Sequence, residues 1–238
     1  MAQAPKFNTL GQKGKARVLI VEDQPIVREK LAELISRERD LISCGDTDNP
    51  RSAIDLIPRT RPSLVITGLA LQESHGLEFI KDLRVRYPRV PVLVFSMYDE
   101  SLYAERAMRA GASGFISKQA PTKEVLCAIR RVLSGEIYLS ERVTAHAVRQ
   151  LFARSSLAAG SELEQLSDRE LEVFELIGQG RSSRQIARAL HVDVKTIETY
   201  RLRIKTKLKL TTATELAQHA HQSLQRTTSP RARAAGRM

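Results

Sequence analysis

Nine lysine and arginine side chains fall between Arg181 and Lys209 against only Asp193 and Glu198, so this short stretch carries +7. The stretch before it, Glu162 to Gly180, holds six acids and the single base Arg169, and carries −5. Cations at that density are suited to neutralising a polyanion, a chain of phosphate diesters above all. A second set of reactive side chains lies far upstream, where Glu22 and Asp23, then Ser96, then Lys118 each end or follow a short apolar run. Paired carboxylates can hold a cation, while a hydroxyl and an ammonium can hold an anion.

The basic stretch is framed by helix signals. Ser167 precedes Glu170 by three residues and Ser182 precedes Gln185 by three. Each is a capping box, in which hydroxyl and carboxylate or amide satisfy free N–H groups at a helix start. Gly178 and Gly180 are expected between the two helices, where a C-terminal cap needs left-handed backbone. Asp193 is a third expected N-cap, opening a helix with apolar Val194, Ile197, Leu202, Ile204 and Leu208. A basic helix alone is as well explained by a solvated face of an ordinary bundle. A short helix, a tight turn and a second, basic helix in that order is the helix-turn-helix pattern, whose second helix enters the major groove.

These residues resemble the LuxR-type DNA-binding domain, the four-helix output module of NarL/FixJ-class response regulators. The resemblance rests on L-S-x-R-E-x-E-V at 166–173, G-x-S-x-x-x-I-A at 180–187 and K-T-I-E-T-Y-R at 195–201. It continues through a fourth helix start at Thr212-Ala-Thr-Glu215. Two positions depart: Tyr200 where the family usually has His, and Lys209 where a helix-ending Gly is usual. The resemblance implies duplex DNA as partner, with Glu198, Thr199 and Leu202 at base edges. Lys195, Arg201, Arg203 and Lys207 would then lie on phosphates, and Arg184 and Thr196 complete the expected DNA-binding set. The amphipathic segment 212–224, with Ala213, Leu216, Ala217, Ala220 and Leu224, either makes a dimer contact or closes the small domain's core; a homodimer is expected.

Upstream, apolar runs at 18–21, 41–45, 64–68, 90–96 and 114–117 alternate with helical patterns at 25–37, 50–58, 76–87, 100–110 and 121–134. Apolar runs without alternation suit strands buried on both faces of a parallel sheet. Five such units predict an α/β fold: a five-stranded, doubly wound parallel sheet, flavodoxin-like, followed by an all-α domain. Ligands of such sheets bind at the carboxyl ends of the strands. VLIVED-QPIVRE, FSMYDE and GASGFISK resemble a response-regulator receiver domain, matched over residues 16–136. The resemblance implies an acidic pair for a divalent cation, a strand-three Asp accepting a phosphoryl group, and a Ser and a Lys engaging its oxygens.

Gly68 stands where that Asp is usual, and Pro62 and Gly76 on either side fix the register. Glycine supplies neither a nucleophile nor a cation ligand, so no phosphoacceptor and no bound metal are expected. Thr67 would point to the opposite face of its strand; Glu73 and His75 fall in the following loop, His75 as a solvated residue. Lys118 is expected to pair with Glu22 or Asp23, because an unpaired buried charge is costly.

The 238 residues suggest two domains of ordinary size. The expected divisions are a disordered leader at 1–15, a pseudo-receiver at 16–136, a helical linker at 137–161 with a helix near 141–154, the DNA-binding domain at 162–225 and a basic disordered tail at 226–238. Net charge +11 and pI near 10.0 agree with a nucleic-acid partner. Cys44 and Cys127 have neither metal spacing nor a disulfide framework and are expected buried and reduced. His219 and His221, two apart, share no helix face. No signal peptide or membrane span is recognisable, so a cytoplasmic protein is expected, without cofactor and not an enzyme. The expected function is a DNA-binding transcriptional regulator acting without Asp phosphorylation, controlled by abundance, a protein partner or a ligand at the receiver. Two alternatives stand beside it: phosphorylation through a non-standard acceptor, and an adaptor binding a partner through its receiver. The intact basic helix tells against the adaptor.

Overall fold

The computed structural model describes residues 14–71, 75–145 and 162–228. The chain falls into two compact units, Met1–Arg149 and Gln150–Met238. In the first, strands β1 (Ala16–Val21), β2 (Leu41–Thr47), β3 (Leu64–Thr67), β4 (Val92–Ser96) and β5 (Gly114–Ser117) form one parallel sheet in the order β2-β1-β3-β4-β5. Helices α1 (Pro25–Ser36), α2 (Pro50–Thr60), α3 (Gly76–Arg86), α4 (Glu100–Ala110) and α5 (Thr122–Leu133) connect and follow the strands. The doubly wound sheet is thus the one the apolar runs predict. Val18, Ile20, Leu64, Ile66, Leu93 and Ile116 bury one sheet face against Leu31 and Ile35 of α1 and Val125, Ala128, Ile129 and Val132 of α5. All four residues of β3 are buried, three of them aliphatic and the last, Thr67, a hydroxyl at the strand's carboxyl end.

Local chemistry sets the helix starts. Asn49 accepts from the Arg51 and Ser52 N–H groups and Pro50 opens α2; Asp99 caps α4 by accepting from Ser101 N. The pattern expected to be helical from residue 121 begins one residue later, because Pro121 is the N-cap of α5. His75 corrects a second expectation. It is fully buried, not solvated, and its Nδ1 accepts the Leu77 N–H at 3.1 Å as the N-cap of α3. Cys127 is exposed and Cys44 half-buried, so neither is the buried thiol expected of it.

Among the described residues of the second unit a 3-10 turn at Glu162–Gln165 comes first, followed by α6 (Asp168–Gly178), α7 (Ser183–Ala189), α8 (Val194–Lys207) and α9 (Ala213–Thr228). Both capping boxes are formed, Ser167 with Glu170 and Ser182 with Gln185. Asp193 occupies the N-cap of α8 but makes no side-chain cap bond there. Gly178 closes α6 as a helical residue, and Gly180, at φ +78°, takes the left-handed turn. Leu216 and Ala220 of α9 are fully buried, so this helix closes the small core. Residues 141–145 are helical; the rest of the expected 141–154 helix lies outside the described residues, as do residues 1–13, 155–161, 229–238 and Glu73. Among the described residues no helix is long and apolar enough to cross a membrane.

Candidate functional site

The carboxyl ends of four strands bring one set of expected residues together. Glu22 and Asp23 follow β1, Gly68 follows β3, Ser96 ends β4 and Lys118 follows β5. Main-chain bonds hold these ends level, Gly68 N donating to Val21 O at 2.9 Å and Lys118 N to Ser96 O at 2.8 Å. An ion pair fills the centre. Lys118 Nζ lies 2.5 Å from Glu22 Oε1, with the two side chains 9% and 2% exposed. The same oxygen accepts the Gln24 N–H at 3.2 Å. Glu22 Oε2 is buried without a hydrogen-bond donor, and it leans over Gly68: a Cβ on that glycine would stand 2.9 Å from it. Burial pushes the Glu22 carboxyl up to about 7; Lys118 pulls the other way, and neighbouring Asp23 adds to the rise.

The remaining groups around this pocket are engaged locally. Ser96 is buried and its Oγ accepts the Tyr98 N–H at 3.1 Å. Thr67, also buried, donates its hydroxyl to Gly68 O at 3.0 Å. Gly76 is required by close approach, since a Cβ there would lie 2.4 Å from Gly68 O. The first residue of α3 therefore packs directly against Gly68 and Leu69.

The second set lies on α8. Lys195, Glu198, Thr199, Leu202 and Thr206 are exposed at spacings of three, four, seven and eleven from Lys195, which is one helix face. Ile197, Ile204 and Leu208 are buried on the other side. Leu202 is 61% exposed, an apolar side chain held out among polar ones. Arg203 is exposed beside it and Arg184 is exposed on α7. Thr196 and Arg201 are half-buried at the flank, with Arg201 Nε 3.9 Å from Glu198 Oε2. Lys207 of the expected set has a partner within its own unit: its Nζ lies 2.6 Å from Glu170 Oε2 on α6. Burial pushes the Glu170 carboxyl upward, but Lys207 and the Ser167 N–H outweigh it and hold the group below the usual carboxylate range.

Comparison with known proteins agrees with both units. Residues 18–130 match the response regulator receiver domain, and residues 164–220 match the bacterial regulatory proteins of the luxR family. The transcriptional activator protein ExaE of Pseudomonas putida is 32% identical over 199 residues, 84% of this chain and 92% of that protein. The chain belongs to the luxR family of response regulators. This luxR-family regulator is also 28% identical over 208 residues to the oxygen regulatory protein NreC of Staphylococcus aureus, covering 86% of the regulator and 96% of the relative. A LuxR-family two-component response regulator from Aurantimonas sp. SI85-9A1 superposes with a TM-score of 0.55 at 29% identity, over 58% of the regulator and 99% of that chain. RcsB of Salmonella typhimurium shares the fold, with a TM-score of 0.64 at 19% identity, over 87% of the regulator and 98% of that chain.

The divalent cation that the receiver resemblance implies does not fit this regulator's pocket. The Lys118 ammonium already neutralises Glu22, and Gly68 supplies no ligand. Among the described residues no three His, Cys, Asp or Glu side chains gather around one point. Two features escape a reading of the sequence: the burial of His75 and the Glu170–Lys207 pair. The luxR-family regulator's capping box marks Glu170 as a helix-start residue, but nothing local marks its second partner, 37 positions away.

Proposed function

We propose that this response regulator controls transcription by binding duplex DNA through α7 and α8, and does so without phosphorylation of its receiver. The luxR-family output domain and the likeness to ExaE, a transcriptional activator, support transcription as the output. The exposed face Lys195–Glu198–Thr199–Leu202, with Arg203 and Arg184 around it, supports a groove-reading surface flanked by phosphate-binding cations. Two copies on one site are part of the proposal, as is control by abundance, a protein partner or a ligand at the receiver.

The observation that carries phosphorylation independence is the Glu22–Lys118 pair over Gly68. Phosphoryl transfer needs an oxygen in line with phosphorus and positive charge to receive the developing negative charge. Gly68 offers no oxygen. The space above it is taken by Glu22 Oε2, and the ammonium that would meet the phosphoryl group is held 2.5 Å from Glu22. His75 is an unsuitable substitute because its Nδ1 caps α3 within a buried ring. We assign the pocket no catalytic turnover.

Acetyl phosphate with Mg2+ tests this, read by intact mass and by a gel shift on the same samples. The expected result is no phosphoryl adduct and an unchanged shift. An acid-labile adduct mapping to residues 64–76 would sink the proposal.

A further inference from the structure

We propose that Lys207 is a positioning residue for DNA recognition: its pairing with Glu170 sets the angle at which α8 meets the duplex, and it makes no phosphate contact. This rests on the DNA-binding reading above. Glu170 Oε2 accepts both the Ser167 N–H at 2.7 Å and the Lys207 ammonium at 2.6 Å. One carboxylate, 4% exposed, therefore ties the first residue before α6 to the last residue of α8. Leu171 and Phe174 of α6, Ile204 of α8 and Leu208 just after it are all buried. A buried carboxylate that loses a cation keeps its desolvation and loses its compensation, so the pair resists opening. Lys207 is itself surface-accessible, its side chain 38% exposed, but its ammonium is engaged by Glu170, which makes it a poorer donor to an outside phosphate.

The lever arm shows what the tie governs. Lys207 lies nine positions beyond Glu198, about 13.5 Å along the axis at 1.5 Å per residue. A tilt of about 5° at the Lys207 end moves the Glu198 level by roughly 1 Å, which is enough to break hydrogen bonds to base edges. Contacts to phosphates, made by long flexible side chains, tolerate the same movement. Loss of the tie should therefore erode sequence discrimination before it erodes general affinity.

The test uses full-length protein, a duplex selected by the wild type from a random pool, and a scrambled duplex, titrated across salt. Lys207→Met is expected to weaken the selected duplex about ten-fold and the scrambled one less than about two-fold, with no change in salt slope. Lys195→Met, the phosphate comparator, should lower the slope by about one. Glu170→Gln, whose amide oxygen can still accept from Ser167, should copy Lys207→Met, and the double variant should lose no more than either single one. Lys207→Arg should restore discrimination, which separates positioning from misfolding. A slope reduced by about one in Lys207→Met, with equal weakening of both duplexes, would make it a phosphate contact and overturn the inference. Retention of neither duplex by the wild type would instead sink the DNA reading, and this inference with it.

Discussion

Glu22 and Glu170 are both buried glutamates beside a lysine, yet their surroundings drive them apart. Glu170 gains an N–H from Ser167 on the oxygen that Lys207 holds, and its carboxyl is lowered. Glu22 has one oxygen without a donor and a second carboxylate, Asp23, beside it, and burial lifts it to about 7. The sign of the consequence follows from linkage. A carboxyl raised from 4.5 to about 7 on folding contributes stability that is present below pH 4.5 and lost as pH rises through 7. Urea unfolding at pH 5 and pH 8 should show the wild type losing no more than about 3 kcal/mol over that window, and Glu22→Gln losing much less. Equal losses in both proteins would remove Glu22 as the source. Glu170, being lowered, acts in the opposite sense and only as pH falls below the ordinary carboxylate range. At Gly68 the expected effect of Asp is destabilising. Its Cβ would meet Glu22 Oε2 at 2.9 Å and add a like charge, lowering stability by about 2 kcal/mol at pH 8 and by less at pH 5, where protonation relieves the repulsion.

At the scale of elements, two backbone positions are tuned in opposite ways. Lys209 ends α8 in the left-handed region at φ +56°, the conformation a glycine would take without penalty. Lys209→Gly should raise the urea midpoint by about 0.5–1 kcal/mol in stability, while Lys209→Val should lower it. Gly178 is fixed by space instead. A Cβ there would stand 2.7 Å from Ala220 O and 2.6 Å from Leu224 Cδ1, so Gly178→Ala should push α9 off α6 at a loss of about 1–3 kcal/mol. These cases also mark how far the sequence is legible. The five strands, the helices that follow them and both capping boxes follow from signals within four to eight residues, and these are present among the described residues. The Glu22–Lys118 pair was foreseeable because parallel topology forces the ends of β1 and β5 to one edge, although their side chains are 96 positions apart. Lys207 lay beyond reach: only the packing of α6 on α8 brings a capping glutamate to it. His75 escaped for the same reason, since its burial against Tyr103, ring centroids 6.3 Å apart, depends on where α4 lies. Asp193 misled in the other direction; its type and place suit a cap, but its side chain makes no such bond.

At the scale of the whole molecule, the proposed independence from phosphorylation leaves association as the step that can set occupancy. A net charge of +11 makes encounter with DNA fast and steeply salt-dependent, but charge selects no sequence. Selection by one short helix is weak, and two copies on adjoining half-sites multiply it, because the second contact is effectively intramolecular. We therefore expect sedimentation to give a two-to-one complex on a duplex carrying two half-sites about one helical turn apart, with no phosphoryl donor present. Inserting about half a turn of DNA between the half-sites should abolish the gain, since it rotates the second site away from the partner helix. Removing one half-site should have the same effect. Acetyl phosphate should leave all three measurements unchanged. A one-to-one complex on the intact duplex would show that a single copy suffices, and assembly that appears only with the donor would restore phosphorylation as the switch and require an acceptor other than Gly68.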